Sequence, residues 1–165
     1  MRIGHGYDAH RFCEDKEMVL GGVKIESPLG FLAHSDGDVL LHALTDAVFG
    51  AAGRRDIGYH FPDTDPRYKN ADSRVLLRDA MALVRADGFE LEYADMTVIA
   101  QKPKLAPYID AMRQEIASVL GVDPARVNVK ATTEEKMGFT GRGEGVRAHA
   151  VCLLKETGNT SGGAF

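Results

Sequence analysis

The order of strand-like and helix-like segments is the feature that most limits the fold of this chain. An alternating strand over about residues 2–8 comes first, followed by a hairpin-like segment, MVLGGVKI. Two amphipathic helical segments, a β-rich segment, a third helical segment and two further strands complete the order β-β-α-α-β-α-β-β. Because this order has no regular βαβ repeat, it predicts an α+β fold. We expect a two-layer sandwich, with helices on one face of a mostly four-stranded sheet and a small hairpin beside it.

The helical segments have recognisable ends. The first is expected to be capped by Ser35 or Asp36 and to end at Gly53, with an apolar stripe formed by Leu40, Leu41, Leu44, Val48 and Phe49. The second is predicted over about residues 71–86, with Gly88 as its stop signal. The third, YIDAMRQEIASVLG, also ends in a glycine.

Length and composition exclude several classes of protein. The 165 residues fit one domain, predicted over residues 1–157, with a tail over residues 158–165 whose composition predicts disorder. A formal charge of −4 argues against nucleic-acid binding driven by phosphate neutralisation. The chain has no apolar run of transmembrane length and no signal-peptide pattern, so no membrane partner is expected. Two cysteines without a framework spacing favour a reducing, cytoplasmic location.

The first strand carries an unusual polar face. Side chains alternate across a strand, so Gly4, Gly6, Asp8 and His10 are expected to point the same way. Two glycines, which have no side chain, then lie next to the carboxylate of Asp8 and the imidazole of His10 on this face. We expect the glycines to leave room for a ligand against the backbone, although an ordinary polar edge remains the alternative.

The first helix supplies a second group of polar side chains. Asp38, His42 and Asp46 are spaced four apart and are therefore expected on one face, opposite the leucine stripe. For the two aspartates we expect a solvated face, whereas His42 has a carboxylate one turn away that would orient a ligand histidine. Together with Asp8 and His10, His42 makes an N,N,O set of the kind that zinc accepts. By spacing alone, simple polar pairing remains the default interpretation.

Four other segments contain residue types that suit phosphate or hydroxyl groups. His34 and Ser35 precede a helix N-terminus, which favours anions, although Ser35 alone is more typical of a cap. DIGYHFPDTD is either a loop that holds hydroxyl groups or an acidic surface turn. AQKPKLAPY places two lysines where a strand ends, either for a phosphate or as solvated surface.

The fourth segment, KATTEEKMGFTGRGEG, lacks the Gly-Lys-Ser/Thr of a P-loop. Its threonines and Glu135 suit a phosphate or a hard cation such as Mg²⁺, and Arg142 suits an anion. Each segment has an ordinary structural interpretation, but together they provide the groups that phosphoryl transfer needs.

These motifs, taken together, resemble one enzyme family. RIGHGYDAHRF, AHSDGDVLLHALTDA, DIGYHFPDTD, IAQKPKL and VNVKATTEEKMGFTGRGEG are similar, in this order, to the 2-C-methyl-D-erythritol 2,4-cyclodiphosphate synthases. The similarity runs from Arg2 to about Leu154. It implies a phosphorus–oxygen lyase of non-mevalonate isoprenoid biosynthesis, which cyclises a CDP-linked methylerythritol phosphate and releases CMP. It also implies a homotrimer with active sites between neighbouring subunits.

The resemblance assigns roles to individual residues. Asp8, His10 and His42 match the zinc ligands, and Glu135 matches the ligand of a second cation, Mg²⁺ or Mn²⁺. His34 and Ser35 match positions that contact the substrate near the reacting phosphate, and together with Thr133 they look like transition-state stabilisers. A further implied partner is an isoprenoid diphosphate in the central cavity of the trimer, near Phe139 and Arg142.

The full set of substrate contacts implied by the resemblance covers the cytidine, diphosphate and methylerythritol parts of the substrate. It comprises Asp8, Ala9, His10, His34, Ser35, Asp56, Ile57, Gly58, Phe61, Pro62, Asp63, Thr64, Asp65, Ala100, Gln101, Lys102, Pro103, Lys104, Leu105, Ala106, Thr132, Thr133, Glu134, Glu135, Phe139 and Arg142. Two other functions remain as alternatives. One is a zinc phosphoesterase, and the other is a non-catalytic trimer that binds a nucleotide or an isoprenoid diphosphate.

Overall fold

A mixed five-stranded sheet forms one layer of the fold in the computed structural model, which describes residues 1–158. Its strands are β1 (Arg2–Cys13), β4 (Gly30–Phe31), β5 (Phe89–Ile99), β6 (Val127–Thr132) and β7 (Gly145–Glu156), and a separate hairpin consists of β2 (Met18–Leu20) and β3 (Val23–Ile25). The order across the sheet is β4-β1-β7-β5-β6, and only β5 and β6 pair in parallel. The α+β prediction is confirmed, with four long strands and the short β4 as a fifth.

Three helices form the second layer. They are α1 (Val39–Ala52), α3 (Ser73–Ala86) and α4 (Ile109–Leu120), and single turns form α2 (Ile57–His60) and α5 (Gly138–Gly141). Gly53 and Gly121 end α1 and α4 in the left-handed conformation, as predicted. No helix within residues 1–158 has the length and apolar character needed to cross a membrane. Residues 159–165, most of the predicted tail, lie outside the described part.

Helix α1 lies directly on β1 because two glycines remove the side chains between them. A Cβ atom at Gly4 would stand 1.9 Å from the carbonyl oxygen of Ala47, and one at Gly6 would stand 1.7 Å from that of Ala43. The expectation that these glycines leave room for a ligand is therefore wrong. They leave room for the backbone of α1, and this close approach brings the polar half of β1 to the first turn of the helix.

The start of α1 differs from the prediction. Its N-cap is Asp38, rather than Ser35 or Asp36. The Asp38 carboxylate is fully buried and accepts hydrogen bonds from the backbone N–H groups of Leu41 at 3.1 Å, Gly21 at 2.9 Å and Gly22 at 2.7 Å. Burial raises the pKa of Asp38 to about 6, against the opposing effect of these donors. Asp38 therefore joins α1 to the β2–β3 turn and does not belong to a solvated face.

The opposite face of the sheet exposes several large side chains in the single chain. Ile3 and Tyr7 of β1, Val151 of β7 and Tyr93 of β5 are exposed there, by 70%, 45%, 38% and 40% respectively. Side chains that point to the other face of the same strands, such as those of Ala148, Ala150, Met96 and Val98, are buried. The sheet therefore has one covered face and one open, partly apolar face, which we call the open sheet face.

Candidate metal centre and substrate site

Asp8, His10 and His42 converge at the place where β1 meets α1. The Asp8 Oδ2 atom lies 3.0 Å from His10 Nε2 and 3.0 Å from His42 Nδ1, and those two nitrogens are 3.1 Å apart. One ligand atom from each residue fits within 4.8 Å of the others. Because β1 continues to Cys13, beyond its predicted end at Asp8, His10 lies within the strand and shares a face with Asp8. The structure thus brings together the three residues that the sequence singled out as metal ligands.

The electrostatics of this cluster favour an ionised carboxylate. Burial opposes the charge on Asp8, but hydrogen bonds from His10 and His42 prevail and lower the pKa of Asp8 to about 2. For His42, burial lowers the pKa, and Asp8 more than reverses this, so that the pKa is raised overall. One carboxylate and two imidazoles form a donor set suited to zinc, and three protein ligands are typical of zinc sites that keep a fourth position open.

The carboxylates on α1 do not orient His42 as predicted. Asp38 is occupied as the N-cap, and Asp46 accepts the backbone N–H of Ile57 at 2.7 Å. The second ring nitrogen of His42, Nε2, instead lies 2.8 Å from Ser73 Oγ and 3.3 Å from Ser35 Oγ. Ser73 lies on a different helix and no local spacing pointed to it.

A cavity of about 360 Å³ opens beside the cluster. Nine predicted site residues line it: Asp8, His10, His34, Ser35, His42, Ile57, Gly58, Phe61 and Asp63. Six others that sequence reasoning did not place in a site also line it: Tyr7, Leu32, Ala33, Asp46, Tyr68 and Leu76. Asp46 lies one helical turn beyond His42, and that spacing was a usable signal for it. Burial raises the pKa of Asp46, although the Ile57 N–H donor opposes this effect.

A second cavity, of about 650 Å³, lies among the residues that follow β5 and those that end α5. The predicted residues Gln101, Lys102, Pro103, Lys104 and Arg142 line it, together with Phe12, Ser27, Pro28, Leu29, Gly141 and Gly143. Its wall combines apolar residues and glycines with two lysines, one arginine, one serine and one glutamine. The two cavities have no lining residue in common, so one chain does not bring all the predicted contacts into one cavity.

The predicted diphosphate segment lies outside the linings of both cavities. Thr133 Oγ1 donates to Glu135 Oε1 at 3.0 Å and accepts the Glu135 backbone N–H at 3.2 Å. Glu135 has a φ of 51°, a conformation uncommon for a residue with a side chain. The neighbouring carboxylate of Glu134 is engaged by Thr140 and Arg147 instead. In the single chain, Glu135 and Thr133 therefore form a local pair, and Glu134 binds different partners.

The remaining predicted contacts also lie outside the cavity linings. Asp56 and Asp65 cap short helical turns, accepting the backbone N–H groups of Tyr59 at 2.8 Å and Arg67 at 2.9 Å. Ala100 and Leu105 are buried. The others in this group are Ala9, Pro62, Thr64, Ala106, Thr132 and Phe139. Of this group, Ala9 lies in β1 and Thr132 ends β6.

Comparisons with known proteins agree with the motifs. The YgbB family profile matches residues 1–155. The 2-C-methyl-D-erythritol 2,4-cyclodiphosphate synthase of Pseudomonas putida (strain W619) is 62% identical over 154 residues, which cover 93% of this chain and 98% of that protein.

Solved structures give the same result. The bifunctional IspDF of Campylobacter jejuni superposes with a TM-score of 0.91 at 50% identity, covering 94% of this chain but 42% of that longer protein. A CDP-bound 2C-methyl-D-erythritol-2,4-cyclodiphosphate synthase superposes with a TM-score of 0.86 at 42% identity, covering 93% and 100% of the two chains. The chain therefore belongs to the YgbB family, the family of 2-C-methyl-D-erythritol 2,4-cyclodiphosphate synthases that its motifs resemble.

Proposed function

We propose that the chain converts 4-diphosphocytidyl-2-C-methyl-D-erythritol 2-phosphate into 2-C-methyl-D-erythritol 2,4-cyclodiphosphate and CMP. The observation that carries this proposal is the Asp8, His10 and His42 cluster in the wall of a cavity that His34 and Ser35 also line. The high identity to named synthases over nearly the whole chain supports the same substrate. This activity makes the chain a phosphorus–oxygen lyase of the non-mevalonate isoprenoid route, and the cysteine content favours a cytoplasmic location.

The reaction is an intramolecular phosphoryl transfer. An oxygen of the 2-phosphate forms a bond to the β-phosphorus of the CDP group, the bond from that phosphorus to the bridging oxygen breaks, and CMP leaves with the electron pair. Folding the substrate back on itself replaces an encounter between two molecules, and such positioning is worth roughly 7–11 kcal/mol of the barrier. No nucleophilic side chain is needed.

The cavity residues divide into two roles. Asp8, His10 and His42 would hold Zn²⁺, which supplies Lewis-acid stabilisation of phosphate oxygens when bound. His34 and Ser35, which line the same cavity, would donate hydrogen bonds to the phosphate oxygens as their charge is redistributed. Ile57, Gly58 and the loop from Phe61 to Asp65 would surround the methylerythritol.

The diphosphate and cytidine contacts would come from the second half of the chain. Lys104 would pair with a phosphate, and residues 100–106 would form the cytidine pocket, next to the apolar residues of the second cavity. Thr132 and Thr133 would bind the diphosphate, and Glu135 would hold a second divalent cation, Mg²⁺ or Mn²⁺. Thr133 would also stabilise the transition state.

We further propose that three copies associate through the open sheet face, so that the first cavity of one subunit adjoins the second cavity of its neighbour. Two observations support this arrangement. The open sheet face exposes large apolar side chains, and the two cavities are separate within one chain. In such a trimer, Phe139 and Arg142 would lie near a central cavity, where the resemblance implies an isoprenoid diphosphate.

The direct test of the activity is incubation with the CDP-linked substrate, followed by ³¹P NMR and chromatography of nucleotides. We expect CMP and a cyclic diphosphate in equal amounts, and loss of both products with a chelator that removes divalent cations. Inorganic phosphate as the product would instead indicate a zinc phosphoesterase. Binding of CDP without turnover would contradict catalysis.

The role of the metal cluster is tested with His42→Ala. This variant should lose zinc, measured by elemental analysis, and lose CMP release, while its circular dichroism remains that of the wild type. His60→Ala is the matched control, because His60 is another helical histidine with a hydrogen bond, from Nε2 to Arg54 O at 2.8 Å, but lies outside the cluster. It should keep its zinc and its activity. Normal zinc content and turnover in His42→Ala would contradict the assignment.

The shared site is tested by complementation. His42→Ala damages the first cavity and Lys104→Ala damages the second, so each variant alone should be inactive or severely impaired. Co-expressed, the two variants should form mixed trimers in which some sites combine an intact first cavity with an intact second one, and activity should return. Light scattering should give three times the chain mass of 17.9 kDa. A monomer, or no recovery in verified mixed trimers, would contradict the arrangement.

A further inference from the structure

We propose that His5 and His149 form a second metal site, which binds a late transition-metal cation such as Zn²⁺ between their imidazoles. The two residues lie on neighbouring strands, β1 and β7, within the open sheet face. They take no part in the cluster of Asp8, His10 and His42, so the proposal goes beyond the catalytic function proposed above and does not depend on it.

The register of the sheet brings the two imidazoles together. In the antiparallel pairing of β1 with β7, His149 stands opposite Tyr7, and His5 stands opposite Val151. His5 and His149 are therefore diagonal neighbours on one face, at a separation that long side chains can bridge. Because His5 follows Gly4, which packs on α1, its side chain points to the open sheet face. His5 is exposed there, and His149 is half-buried.

The distance between the facing nitrogens suits the chelation of one cation. His5 Nε2 lies 3.1 Å from His149 Nδ1, and the ring centroids are 5.4 Å apart. Two nitrogens that each lie about 2.0–2.1 Å from a metal, at tetrahedral or right-angled positions, are roughly 2.8–3.4 Å from each other. Without a cation the contact is a hydrogen bond, and a cation would replace it with two metal–nitrogen bonds.

The candidate metal centre offers a direct comparison. Its imidazoles, His10 and His42, have the same nitrogen separation of 3.1 Å and ring centroids 5.3 Å apart, although their planes are tilted by 80° rather than 33°. There Asp8 supplies a third ligand, whereas within residues 1–158 no third His, Cys, Asp or Glu completes a set around His5 and His149. We therefore expect the second site to bind more weakly than the cluster, with water in its other coordination positions.

The chemistry of the pair selects the class of cation. Imidazole nitrogens suit Zn²⁺, Cu²⁺ and Ni²⁺, whereas Mg²⁺ and Ca²⁺ prefer oxygen ligands. Arg147, two residues before His149 on the same face of β7, is paired with Glu134, which weakens its repulsion of a metal ion. These surroundings favour a transition-metal ion over a hard cation.

The first test is calorimetric titration of metal-free protein with Zn²⁺, with excess Mg²⁺ present to occupy oxygen-ligand sites such as the one proposed at Glu135. The wild type should show two classes of zinc site, a tighter one at the cluster and a weaker one at the pair. His5→Ala and His149→Ala should each lose the weaker class and keep the tighter one, because one imidazole alone cannot chelate. His42→Ala should lose the tighter class and keep the weaker one.

Val151→Thr is the matched control for the first test. Val151 lies opposite His5 on the same face, and threonine keeps the β-branched shape without touching either imidazole ligand. This variant should keep both classes of zinc site. Circular dichroism checks the fold of each variant, and because His5 is exposed, His5→Ala decides the outcome if loss of the half-buried His149 prevents folding.

The second test locates the ion. Anomalous diffraction at the zinc edge, from crystals grown with zinc, should show a peak about 2.0–2.1 Å from both His5 Nε2 and His149 Nδ1. Absence of this peak, or a weaker class of zinc site that survives in both His5→Ala and His149→Ala, would overturn the proposal. A wild type that lacks the tighter class but shows the peak at the pair would refute the metal centre proposed for catalysis and support the second site.

Discussion

Replacing Gly6 by alanine should disturb both the stability of the fold and the metal cluster. The added Cβ would lie 1.7 Å from Ala43 O, and Cβ atoms in proteins essentially never approach a heavy atom closer than 3.0 Å. The strand and the helix would have to separate by roughly 1.3 Å. Because the obstacle is backbone, no change of side-chain rotamer relieves it.

The energetic cost follows from this geometry. Overpacking of a core costs about 1–3 kcal/mol, and a backbone obstacle places Gly6→Ala near about 3 kcal/mol. In a domain of this size, that loss lowers the melting temperature by about 6–12 °C. Metal ligands tolerate displacements of only about 0.2 Å, so moving Asp8 and His10 away from His42 should also weaken zinc binding.

The assay compares thermal unfolding and zinc affinity at one protein concentration, since association also changes the melting temperature. Gly50→Ala is the control on the other side of the same contact, because its nearest neighbour, His5 O, would be 4.0 Å from the new Cβ. Alanine within a helix is favoured over glycine by roughly 0.5–1 kcal/mol, so Gly50→Ala should be neutral or stabilising. A Gly6→Ala protein that melts and binds zinc like the wild type would refute the reasoning.

Three other predictions concern groups outside the metal cluster. Asp38→Asn replaces one of two buried acceptor oxygens by a donor that faces a backbone N–H, and should cost about 1–3 kcal/mol in chemical denaturation; an unchanged midpoint would contradict the role of Asp38. Arg54 lowers the pKa of Asp87 below its ordinary value of 3.8, so this ion pair stabilises the fold above that pH and the contribution is lost as pH falls through the lowered pKa. Arg54→Gln should therefore lower stability near neutral pH by less than about 1 kcal/mol, with the difference vanishing in acid, and a difference that grows in acid would contradict the sign. Burial raises the pKa of the Cys152 thiol to about 12, so iodoacetamide should modify the partly exposed Cys13 first, and mass spectrometry showing the reverse order would contradict this.

The sequence predicted the long elements well because their signals are local. Apolar periodicity and terminal glycines located α1, and the ends at Gly53 and Gly121 were correct. The three metal-ligand candidates were also found from the sequence. Residue types and spacing suggested Asp8, His10 and His42 as an N,N,O set, with polar pairing as the default interpretation, and the family resemblance then matched all three to zinc ligands.

Contacts between distant segments could not be predicted from spacing. Asp38 was expected on a solvated face, but its role depends on the turn at Gly21 and Gly22 folding back onto the start of α1. The Ser73 contact with His42 depends on the packing of α3 against α1, which no local pattern encodes. The glycines of β1 were correctly seen as bare positions, but single-sequence reasoning had no means of telling a helix from a ligand as the group that fills the space.

The contacts between β1 and α1 repeat at nearly the same distance along the strand and along the helix. Two residues along a strand advance about 6.7 Å, and four residues along an α-helix advance about 6.0 Å. Gly4 therefore packs against Ala47, and Gly6, two residues further along β1, packs against Ala43, one helical turn earlier in α1. Asp8 lies two residues beyond Gly6 on β1 and therefore contacts the first turn of α1, which contains His42. Shifting β1 along α1 by two residues would bring Arg2 or Asp8, which carry Cβ atoms, against a helix carbonyl that now meets a glycine, and would also separate the imidazole from the carboxylate. The relative positions of Asp8, His10 and His42 therefore depend on the packing of Gly4 and Gly6 against α1, although neither glycine is a candidate metal ligand.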